Sequence, residues 1–443
     1  MCGISLAASA AATPALVERV CRMHAVARHR GPDGERFLSV GPDGRAVLAP
    51  AADALEAAGA ALVLGFRRLR ILDLSEAADQ PLRSPDGTAF VAFNGAIFNY
   101  RELRAELERR GRAFRTTGDT EVLLAAYEAW GERCFERLDG MWAVAIVDLA
   151  RGRLVLSRDR FGIKPLHWAT DGPTLLVASE AKQVVAGLRG RPRPNAGLVG
   201  AFLRGNRYPC LEETFFDGVR QVPPATWCAV PLEAPATPPR FEPYWRLADF
   251  HCGRTSGIPY GEARERFEAL LRSAVRAHAV ADVGLGALVS GGLDSSTLAA
   301  LLAGERGGAP TFSFGVEGDP RSELKHAAAV ARAHGLPNHQ AGLDAAWIRA
   351  HGGAAVKALE EPPLALAALA QHRLYQLARE HGTTVVLDGQ GADEVLGGYA
   401  YHQRLLIADR VRRGRPGAAA REVFAIARHE GVSPLRVLSA VAV

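Results

Sequence analysis

The sequence predicts two domains of different fold class, an N-terminal α+β domain and a C-terminal α/β domain built on a parallel sheet. The 443 residues exceed the length over which one hydrophobic core usually keeps growing. Prolines and glycines concentrate between residues 185 and 260, which marks a junction. The pattern of apolar runs also differs on its two sides. We therefore predict a first domain over residues 2–190, a linker and junction over 191–260, and a second domain over 261–443.

The first domain combines short β-like runs with two amphipathic helices, a mixture typical of an α+β fold. The predicted strands cover residues 61–64, 89–93, 142–147, 154–157 and 175–178. One predicted helix covers residues 100–110 and stops at Gly111. The other follows Asp119 and stops at Gly131.

The second domain alternates strands and helices, as a parallel α/β sheet requires. The predicted strands cover residues 284–289, 311–316 and 383–387. Helices are predicted over residues 295–303 and 324–334, with more helix up to about residue 379.

The composition disfavours several classes of protein. The net charge of +5 is spread along the chain, which argues against nucleic-acid binding. No apolar run reaches the length of a membrane span, and the opening residues lack the positive charge of a signal peptide. The cysteines form no CxxC pair, which disfavours a disulfide framework and a zinc site. They are Cys2, Cys21, Cys134, Cys210, Cys228 and Cys252. We expect a cytoplasmic protein with no nucleic-acid or membrane partner.

The strongest motif is the loop SGGLDSS at residues 290–296, between an apolar strand and a helix. Its glycines allow a tight turn, and the N–H groups at the helix start form a concave site that a pyrophosphate would fit. Asp294 could hold a Mg²⁺ ion there, because Mg²⁺ prefers oxygen ligands. The simpler alternative is an ordinary strand-to-helix turn with a serine cap.

A second polar loop, DGQGADE at residues 388–394, follows the predicted strand 383–387 and precedes GGY at 397–399. Ligands of open parallel sheets bind beyond the carboxyl ends of the strands, so both loops are expected on one rim. The alternative is a capped helix start in which Asp393 and Glu394 only suit the helix dipole.

Together the two loops resemble the ATP-pyrophosphatase type of synthetase, and specifically the asparagine synthetase family. The resemblance implies a sheet of the adenine-nucleotide α-hydrolase type, an adenylate intermediate, AMP and pyrophosphate as products, and dependence on Mg²⁺. It implies that Asp294 and Asp393 hold Mg²⁺ with pyrophosphate. The residues implied to bind ATP are Leu288, Ser290, Gly291, Gly292, Asp294, Ser295, Ser296, Phe314, Asp388, Gly389 and Gln390.

Cys2 stands directly after the initiator methionine. If Met1 is removed, the chain begins with a thiol and a free α-amino group on one residue. An α-amino group titrates near pH 7.7–8.0, so its neutral form can accept the thiol proton. A cysteine at this position means little by itself, and its significance depends on the motifs that accompany it.

Four such motifs follow in the first domain, namely RHRGPD at 28–33, GFRRLRILD at 65–73, FNGAIFNY at 93–100 and TTGDTEV at 116–122. With Cys2 they resemble class II glutamine amidotransferases. The resemblance implies an αββα sandwich of antiparallel sheets of the N-terminal nucleophile type.

The same resemblance implies the roles of four residues besides the catalytic Cys2. Asn94 and the Gly95 N–H would form the oxyanion hole and contact glutamine. Arg68 would hold the glutamine α-carboxylate, and Asp119 its α-ammonium. Simpler interpretations exist for each, since Asn-Gly is a common hairpin turn and Asp119 a common helix cap. Further similar segments lie at residues 158–166 (RDRFGIKPL) and 178–182, so the resemblance covers about residues 1–401.

The expected function is therefore glutamine- and ATP-dependent amidation of a carboxylate, with aspartate as the expected acceptor and a homodimer suggested. The chain departs from the family at Asp388 and Gln390, where asparagine synthetases carry Ser and a proton-transferring Glu. An amide cannot act as a base. Amidation of another carboxylate, in specialised metabolism or in cell-surface sugar biosynthesis, therefore stays open.

A third interpretation is a protein that only hydrolyses glutamine or binds nucleotide. Family members continue with an ERxPFLD-like stretch and a lysine implied in adenylation, and neither precedes Val443. We accordingly expect the second domain to be incomplete at its C-terminus.

Overall fold

The computed structural model describes residues 1–55, 59–205, 212–250, 257–316, 319, 322–363 and 366–441. Cys210 and Cys252 lie outside the described residues, and the other four cysteines are free thiols. The strands are β1 Gly3–Ser9, β2 Gly34–Val40, β3 Ala46–Ala49, β4 Leu62–Arg68, β5 Leu82–Arg83, β6 Ala89–Ile97, β7 Gly140–Asp148, β8 Arg153–Arg158, β9 His167–Asp171, β10 Thr174–Ala178, β11 Arg220–Gln221, β12 Thr226–Pro231, β13 Glu242–Pro243, β14 Leu285–Leu288, β15 Thr311–Gly315, β16 Asn338–Gly342 and β17 Val385–Leu387.

The α-helices connect these strands and follow the last of them. They are α1 Ala15–Val26, α2 Tyr100–Arg109, α3 Asp119–Trp130, α4 Cys134–Arg137, α5 Ala181–Gly187, α6 Ala196–Gly205, α7 Tyr260–His278, α8 Leu293–Glu305, α9 Leu324–Ala333, α10 Ala345–Leu359, α11 Leu366–Glu380, α12 Ala392–Leu396, α13 Ala400–Arg412, α14 Pro416–Glu430 and α15 Pro434–Val441. Short 3₁₀ turns occur at Ala52–Ala54, Glu76–Ala78, Gly131–Arg133 and Leu247–Phe250.

The N-terminal residues form two antiparallel sheets. The first has the strand order β11-β9-β10-β1-β4-β2-β3, and the second β13-β12-β8-β7-β6-β5. In the first sheet β1 is central and pairs with β10 and β4. In the second sheet β6 pairs with β7 along its whole length, from Ala89 opposite Asp148 to Ile97 opposite Gly140. Segment 191–260, predicted as a linker, contributes β11, β12 and β13 to these sheets.

The two sheets pack face to face between two layers of helix. Ile4 and Phe66 of the first sheet share a core with Phe90 and Leu156 of the second. Helices α1 and α5 cover the outer face of the first sheet through residues such as Met23. Helices α2 and α3 cover the second sheet. Each fully buried Leu or Phe of this kind contributes roughly 1.5–3 kcal/mol. The predicted αββα sandwich is confirmed.

The third sheet has the order β16-β15-β14-β17, and β14 runs parallel to β15 with Leu288 opposite Phe312. Helix α8 follows β14 and helix α9 follows β15, which is the predicted alternation. The C-terminal α/β fold is therefore confirmed.

By packing, the described chain divides into two compact units. One contains Met1–Leu285 and Ala341–Val385, and the other Gly286–Gln340 and Val386–Val443. Helices α7, α10 and α11 thus belong to the same unit as the two antiparallel sheets. No helix among the described residues is both long enough and apolar enough to cross a bilayer.

Candidate active site

Cys2 lies directly before β1, where the end of this central strand opens into a small cavity of about 120 Å³. The cavity is lined from several elements of the first unit. Its polar lining residues are Cys2, Arg68, Gln80, Asn94, Tyr100, Asp119, Thr120, Lys164 and His278. The structure thus brings together Cys2, Arg68, Asn94, Gly95 and Asp119, which the sequence places up to 117 positions apart (119 − 2).

Asn94 holds the backbone of Cys2 and also offers a spare donor. The N–H of Cys2 donates to Asn94 Oδ1 at 2.9 Å. Asn94 is 1% exposed, and its Nδ2 is buried without a hydrogen-bond partner in the described part of the chain. A buried unpaired donor is costly unless a ligand satisfies it. The arrangement suits an oxyanion that forms beside Cys2.

Gly95 is required by the close approach of β7 to β6. A Cβ at this position would lie 2.1 Å from the carbonyl oxygen of Met141. No side chain can occupy that space, so the backbone of β6 reaches the cavity without cover from residue 95.

The thiol of Cys2 contacts the residue that directly follows β4. The N–H of Leu69 donates to Cys2 Sγ at 3.4 Å. Burial raises the pKa of this thiol, although the amino terminus, Arg30 and Arg68 act in the opposite direction. Burial also lowers the pKa of the Met1 amino group to about 5, so the Met1 amine is neutral at pH 7.

Arg68 is anchored on one side of the cavity. Its guanidinium donates to Asp79 Oδ1 at 2.5 Å, to the carbonyl of Ser75 at 2.7 Å and to that of Leu72 at 3.3 Å. It also donates to the carbonyl of Asp73. A carboxylate bound here would share the guanidinium with Asp79.

Asp119 begins α3 and is buried against β6. The N–H of Ile97 donates to Asp119 Oδ2 at 2.9 Å. Burial raises the pKa of Asp119 to about 6 despite this bond. A buried carboxylate of this kind favours a cationic partner.

Two basic residues of the cavity, Lys164 and His278, were not assigned from the sequence. Lys164 belongs to the RDRFGIKPL segment, and burial lowers its pKa to about 8. Asp159 orders that segment, because its carboxylate accepts from the N–H groups of Phe161, Ile163 and Lys164. His278, at the end of α7, packs on Phe98 with ring centroids 4.0 Å apart. Only the matched segment offered a sequence signal for Lys164, and none was available for His278.

The second site lies in the other unit, at the carboxyl end of β14. Gly291 has φ +95°, and a Cβ there would lie 2.8 Å from Cβ of His326 and 2.9 Å from N of Ala327. Ser290 and Ser295 hydroxyls are 2.9 Å apart and close the loop. The loop leads into α8, whose first N–H groups suit an anion.

Two observations in this unit bear on a nucleotide with Mg²⁺. The Ser296 hydroxyl at the start of α8 is buried without a partner among the described residues. A Cβ at Gly389 would lie 3.5 Å from Cβ of Asp294, so the DGQGADE loop reaches the SGGLDSS loop. The described residues hold no cluster of three or more metal-ligating side chains. Mg²⁺ commonly binds through one or two carboxylates and takes its remaining ligands from phosphates and water, so the pair Asp294 and Asp393 stays a prediction.

The other predicted nucleotide-binding residues occupy neighbouring strand ends and loops of this unit. Leu288 is 8% exposed at the end of β14, and Phe314 is half-buried in β15. Gln390 is exposed, and its N–H donates to Asp388 Oδ1 at 3.1 Å. Their roles in ATP binding, like that of Asp393, stay predictions.

Comparison with known proteins identifies a family for each half. Residues 1–245 match the glutamine amidotransferase domain family, and residues 266–437 match the asparagine synthase family. A Mycobacterium tuberculosis protein, provisionally assigned as a glutamine-hydrolysing asparagine synthetase, is 34% identical over 92% of this chain and 61% of its own length. Asparagine synthetase (glutamine-hydrolysing) 1 of Bacillus subtilis is 31% identical over 88% of this chain and 57% of its own length.

The chain thus spans about three fifths of the length of these relatives. Among solved structures, the glutamine phosphoribosylpyrophosphate amidotransferase of B. subtilis covers 87% of this chain and 80% of its own, at 17% identity and a TM-score of 0.42. A similarity of that size supports no statement about function.

Proposed function

The chain belongs to the family of glutamine-hydrolysing asparagine synthetases, and on that premise we propose that it is an ATP-dependent ligase that amidates a carboxylate with ammonia from glutamine. Aspartate is the proposed acceptor, through an acyl-adenylate with AMP and pyrophosphate as products. The observation that carries the proposal is the buried, unpaired side-chain nitrogen Nδ2 of Asn94 in one cavity with Cys2.

In the proposed glutaminase step, removal of Met1 turns the nitrogen of Cys2 into the amine that accepts the thiol proton. The thiolate attacks the side-chain carbonyl carbon of glutamine, and the oxygen gains the electron pair. Asn94 Nδ2 and the Gly95 N–H then donate to this oxygen. The C–N bond breaks, and the protonated amine returns its proton so that ammonia leaves. Water hydrolyses the thioester to glutamate and restores the thiol.

Glutamine itself would be held by charge at its α-carbon. Arg68 would bind the α-carboxylate in competition with Asp79, and ionised Asp119 would bind the α-ammonium. These assignments rest on the position of the two residues in the Cys2 cavity.

In the proposed synthetase step, the SGGLDSS loop binds the phosphates of ATP. The Ser296 hydroxyl and the N–H groups of α8 supply donors, and Asp294 with Asp393 would hold Mg²⁺. Bound Mg²⁺ would neutralise phosphate charge. Leu288 and Phe314 contribute apolar surface for the nucleoside.

One observation favours a second candidate acceptor. Gln390 occupies the position at which the family carries a proton-transferring Glu, and an amide cannot act as a base. An acceptor that needs no base at this position, such as another carboxylate of specialised metabolism, would explain the replacement. Glutamine hydrolysis or nucleotide binding without synthesis is the remaining alternative.

The deciding experiment is a coupled assay on purified protein with glutamine and Mg-ATP, recording glutamate, pyrophosphate and asparagine with and without aspartate. We expect pyrophosphate release that depends on aspartate and equals the asparagine formed. Glutamate release without any response to aspartate would point to another acceptor or to glutaminase activity alone. Absence of glutamate release would refute the glutaminase assignment.

Three further properties are proposed from the family. The active form would be a homodimer in the cytoplasm, binding only small-molecule substrates. Sedimentation velocity of the purified chain at several concentrations tests the first of these, since a concentration-independent monomer would exclude it.

A further inference from the structure

A chain of charged side chains, two of them buried and two half-buried, leads from the backbone of Cys2 to Glu360, about 360 positions along the sequence. Glu360 lies within the stretch that matches the asparagine synthase family, whereas Cys2 lies within the glutamine amidotransferase match. Both residues belong to the same compact unit of the structure. We call the set Arg30, Glu180, Lys182 and Glu360 the charge relay.

The inner half of the charge relay holds Cys2. Arg30 Nε donates to the carbonyl oxygen of Cys2 at 2.8 Å. The NH1 group of Arg30 donates to Glu180 Oε1 at 2.9 Å, and His29 Nε2 lies 3.0 Å from the same oxygen. The side chains of Arg30 and Glu180 are 4% and 9% exposed. Both side chains are therefore largely shielded from water.

The outer half connects Glu180 to Glu360. Lys182 Nζ lies 3.0 Å from Glu180 Oε2 and 3.5 Å from Glu360 Oε1. The Glu360 carboxylate also accepts the N–H groups of Ala181 and Lys182, at 2.9 and 2.7 Å. These are the first N–H groups of α5, which have no partner within the helix. Glu360 therefore caps the helix that directly follows Glu180.

The backbone at Glu360 indicates that its side chain matters. Glu360 ends α10 in the left-handed region, with φ 66° and ψ 2°. Glycine or asparagine is the usual residue in this conformation, because a larger side chain is disfavoured there. A glutamate at this position is explained by the two N–H groups and the ammonium that its carboxylate binds.

The pKa of Glu180 also indicates that the charge relay holds its members together. Burial would raise the pKa of Glu180, but His29, Arg30 and Lys182 outweigh it and hold the pKa at about 2. Glu180 is thus a fixed anion whose position depends on its cationic neighbours. Loss of Glu360 would leave Lys182 with Glu180 as its one anionic contact in the relay, and would remove the acceptor of the Ala181 and Lys182 N–H groups. Breaking one partner of a buried ionic network displaces or strains the others.

From these contacts we propose that Glu360 is a positioning residue of the glutaminase site, acting through Lys182, Glu180 and Arg30 on the backbone of Cys2. A residue of the asparagine synthase stretch would thereby set the competence of the cysteine nucleophile. This inference rests on the proposed glutaminase function.

The test compares glutamine hydrolysis by the full chain and by Glu360→Gly, Glu360→Gln and Asp344→Asn. Glycine suits the left-handed backbone, so Glu360→Gly removes the carboxylate while leaving the end of α10 unstrained. Glu360→Gln keeps an oxygen acceptor and removes only the charge. Asp344→Asn is the matched control, because Asp344 caps α10 by accepting the N–H of Trp347 at 2.7 Å and has no part in the relay.

We expect Glu360→Gly to lower kcat for glutamine hydrolysis by about tenfold to a hundredfold, the loss typical of a small displacement of a nucleophile. The KM for glutamine should stay within about twofold, because Arg68 and Asp119 are untouched. Glu360→Gln should lie between Glu360→Gly and the wild type, and Asp344→Asn should match the wild type.

The pH dependence of kcat/KM distinguishes a displaced nucleophile from partial unfolding of the chain. The charged and titratable groups around Cys2 are the amino terminus, Arg30, Asp33, Arg68, Asp119, Lys164 and His278. Arg30 favours the thiolate, so a displaced Arg30 should move the acidic limb of kcat/KM to higher pH. Partial unfolding would lower kcat/KM at every pH without moving its acidic limb.

An unchanged kcat and an unchanged acidic limb in both Glu360 variants would overturn the inference. So would an equal loss in Asp344→Asn, since that would indicate general destabilisation. If the wild-type chain released no glutamate, or released it at the same rate as Cys2→Ala, the proposed function on which the inference rests would be refuted instead.

Discussion

The two polar atoms of the Asn94 side chain have different roles. Its Oδ1 holds the N–H of Cys2, while its Nδ2 is buried and without a partner among the described residues. The oxygen thus positions the nucleophile, and the nitrogen is free to donate to a substrate oxygen. A single substitution can separate these two contributions.

Asn94→Asp keeps the acceptor and replaces the donor by a second carboxylate oxygen. We expect kcat for glutamine hydrolysis to fall by about 10²–10³-fold, the usual effect of losing one oxyanion donor. Steady-state kinetics would measure it. Asn99→Asp is a suitable control, because Asn99 holds the backbone of Arg137 and Asp139 at the surface. A loss of similar size in the control would contradict the assignment.

The raised pKa of Asp119 makes glutamine binding dependent on pH. Burial raises this pKa from 3.8 to about 6, so the carboxylate becomes neutral as the pH falls through about 6. The glutamine ammonium then loses its partner, and we expect kcat/KM to fall about tenfold per unit below that pH. A profile between pH 4.5 and 8 tests this, and Asp119→Asn should remove the part of the fall that protonation of Asp119 causes.

The raised pKa of Asp119 also makes the stability of the fold depend on pH. Between pH 3.8 and about 6 the folded chain binds a proton at Asp119 that the unfolded chain has lost. Stability from this group therefore falls as the pH rises through that window. A carboxylate kept in such an environment is better explained by a ligand than by stability.

At the scale of elements, both candidate sites use the ends of buried strands. Cys2 precedes β1, Asn94 and Gly95 lie on β6, and the SGGLDSS loop follows β14. Pairing on both sides fixes β1, and close approach of β7 requires Gly95. Strand pairing therefore fixes the backbone position of Cys2, Asn94 and Gly95.

The SGGLDSS loop depends on the backbone of Gly291. Gly291→Ala places a Cβ 2.8 Å from His326 at φ +95°, so we expect loss of pyrophosphate release with glutamine hydrolysis unchanged. The paired product assay measures both. Gly304→Ala is the control in α8, the helix that follows this loop, where a Cβ meets nothing within 4 Å. Full pyrophosphate release by Gly291→Ala would exclude the loop as the phosphate site.

At the scale of the whole molecule, the two chemistries belong to different compact units. The Cys2 cavity lies in the first unit, and Asp294 lies in the second. Each site should therefore tolerate the loss of the other.

Cys2→Ala should abolish the use of glutamine and spare synthesis driven by added ammonia. Asp294→Asn should abolish pyrophosphate release and spare glutamate release. Product analysis with glutamine or ammonium chloride as the nitrogen source measures all four quantities. If either variant lost both activities, two separable sites would be the wrong description.

Most of the helices and strands that we predicted from local sequence patterns are present in the structure. The predicted helix 100–110 is α2 Tyr100–Arg109, and the predicted strand 154–157 is β8 Arg153–Arg158. Strand β1 was not predicted, because all seven of its residues are buried and it shows no alternation. A strand with two buried faces carries no periodic signal in the sequence.

The sequence by itself determined the two fold classes, the motifs and the residues that could carry chemistry, since periodicity, turn residues and loop composition are local properties. Only the tertiary structure decided which partners those residues have. It left Asn94 Nδ2 unpaired, placed Asp79 beside Arg68, and joined Arg30 through Glu180 and Lys182 to Glu360. Such contacts depend on the packing of segments that are far apart in the chain, and no local pattern encodes them.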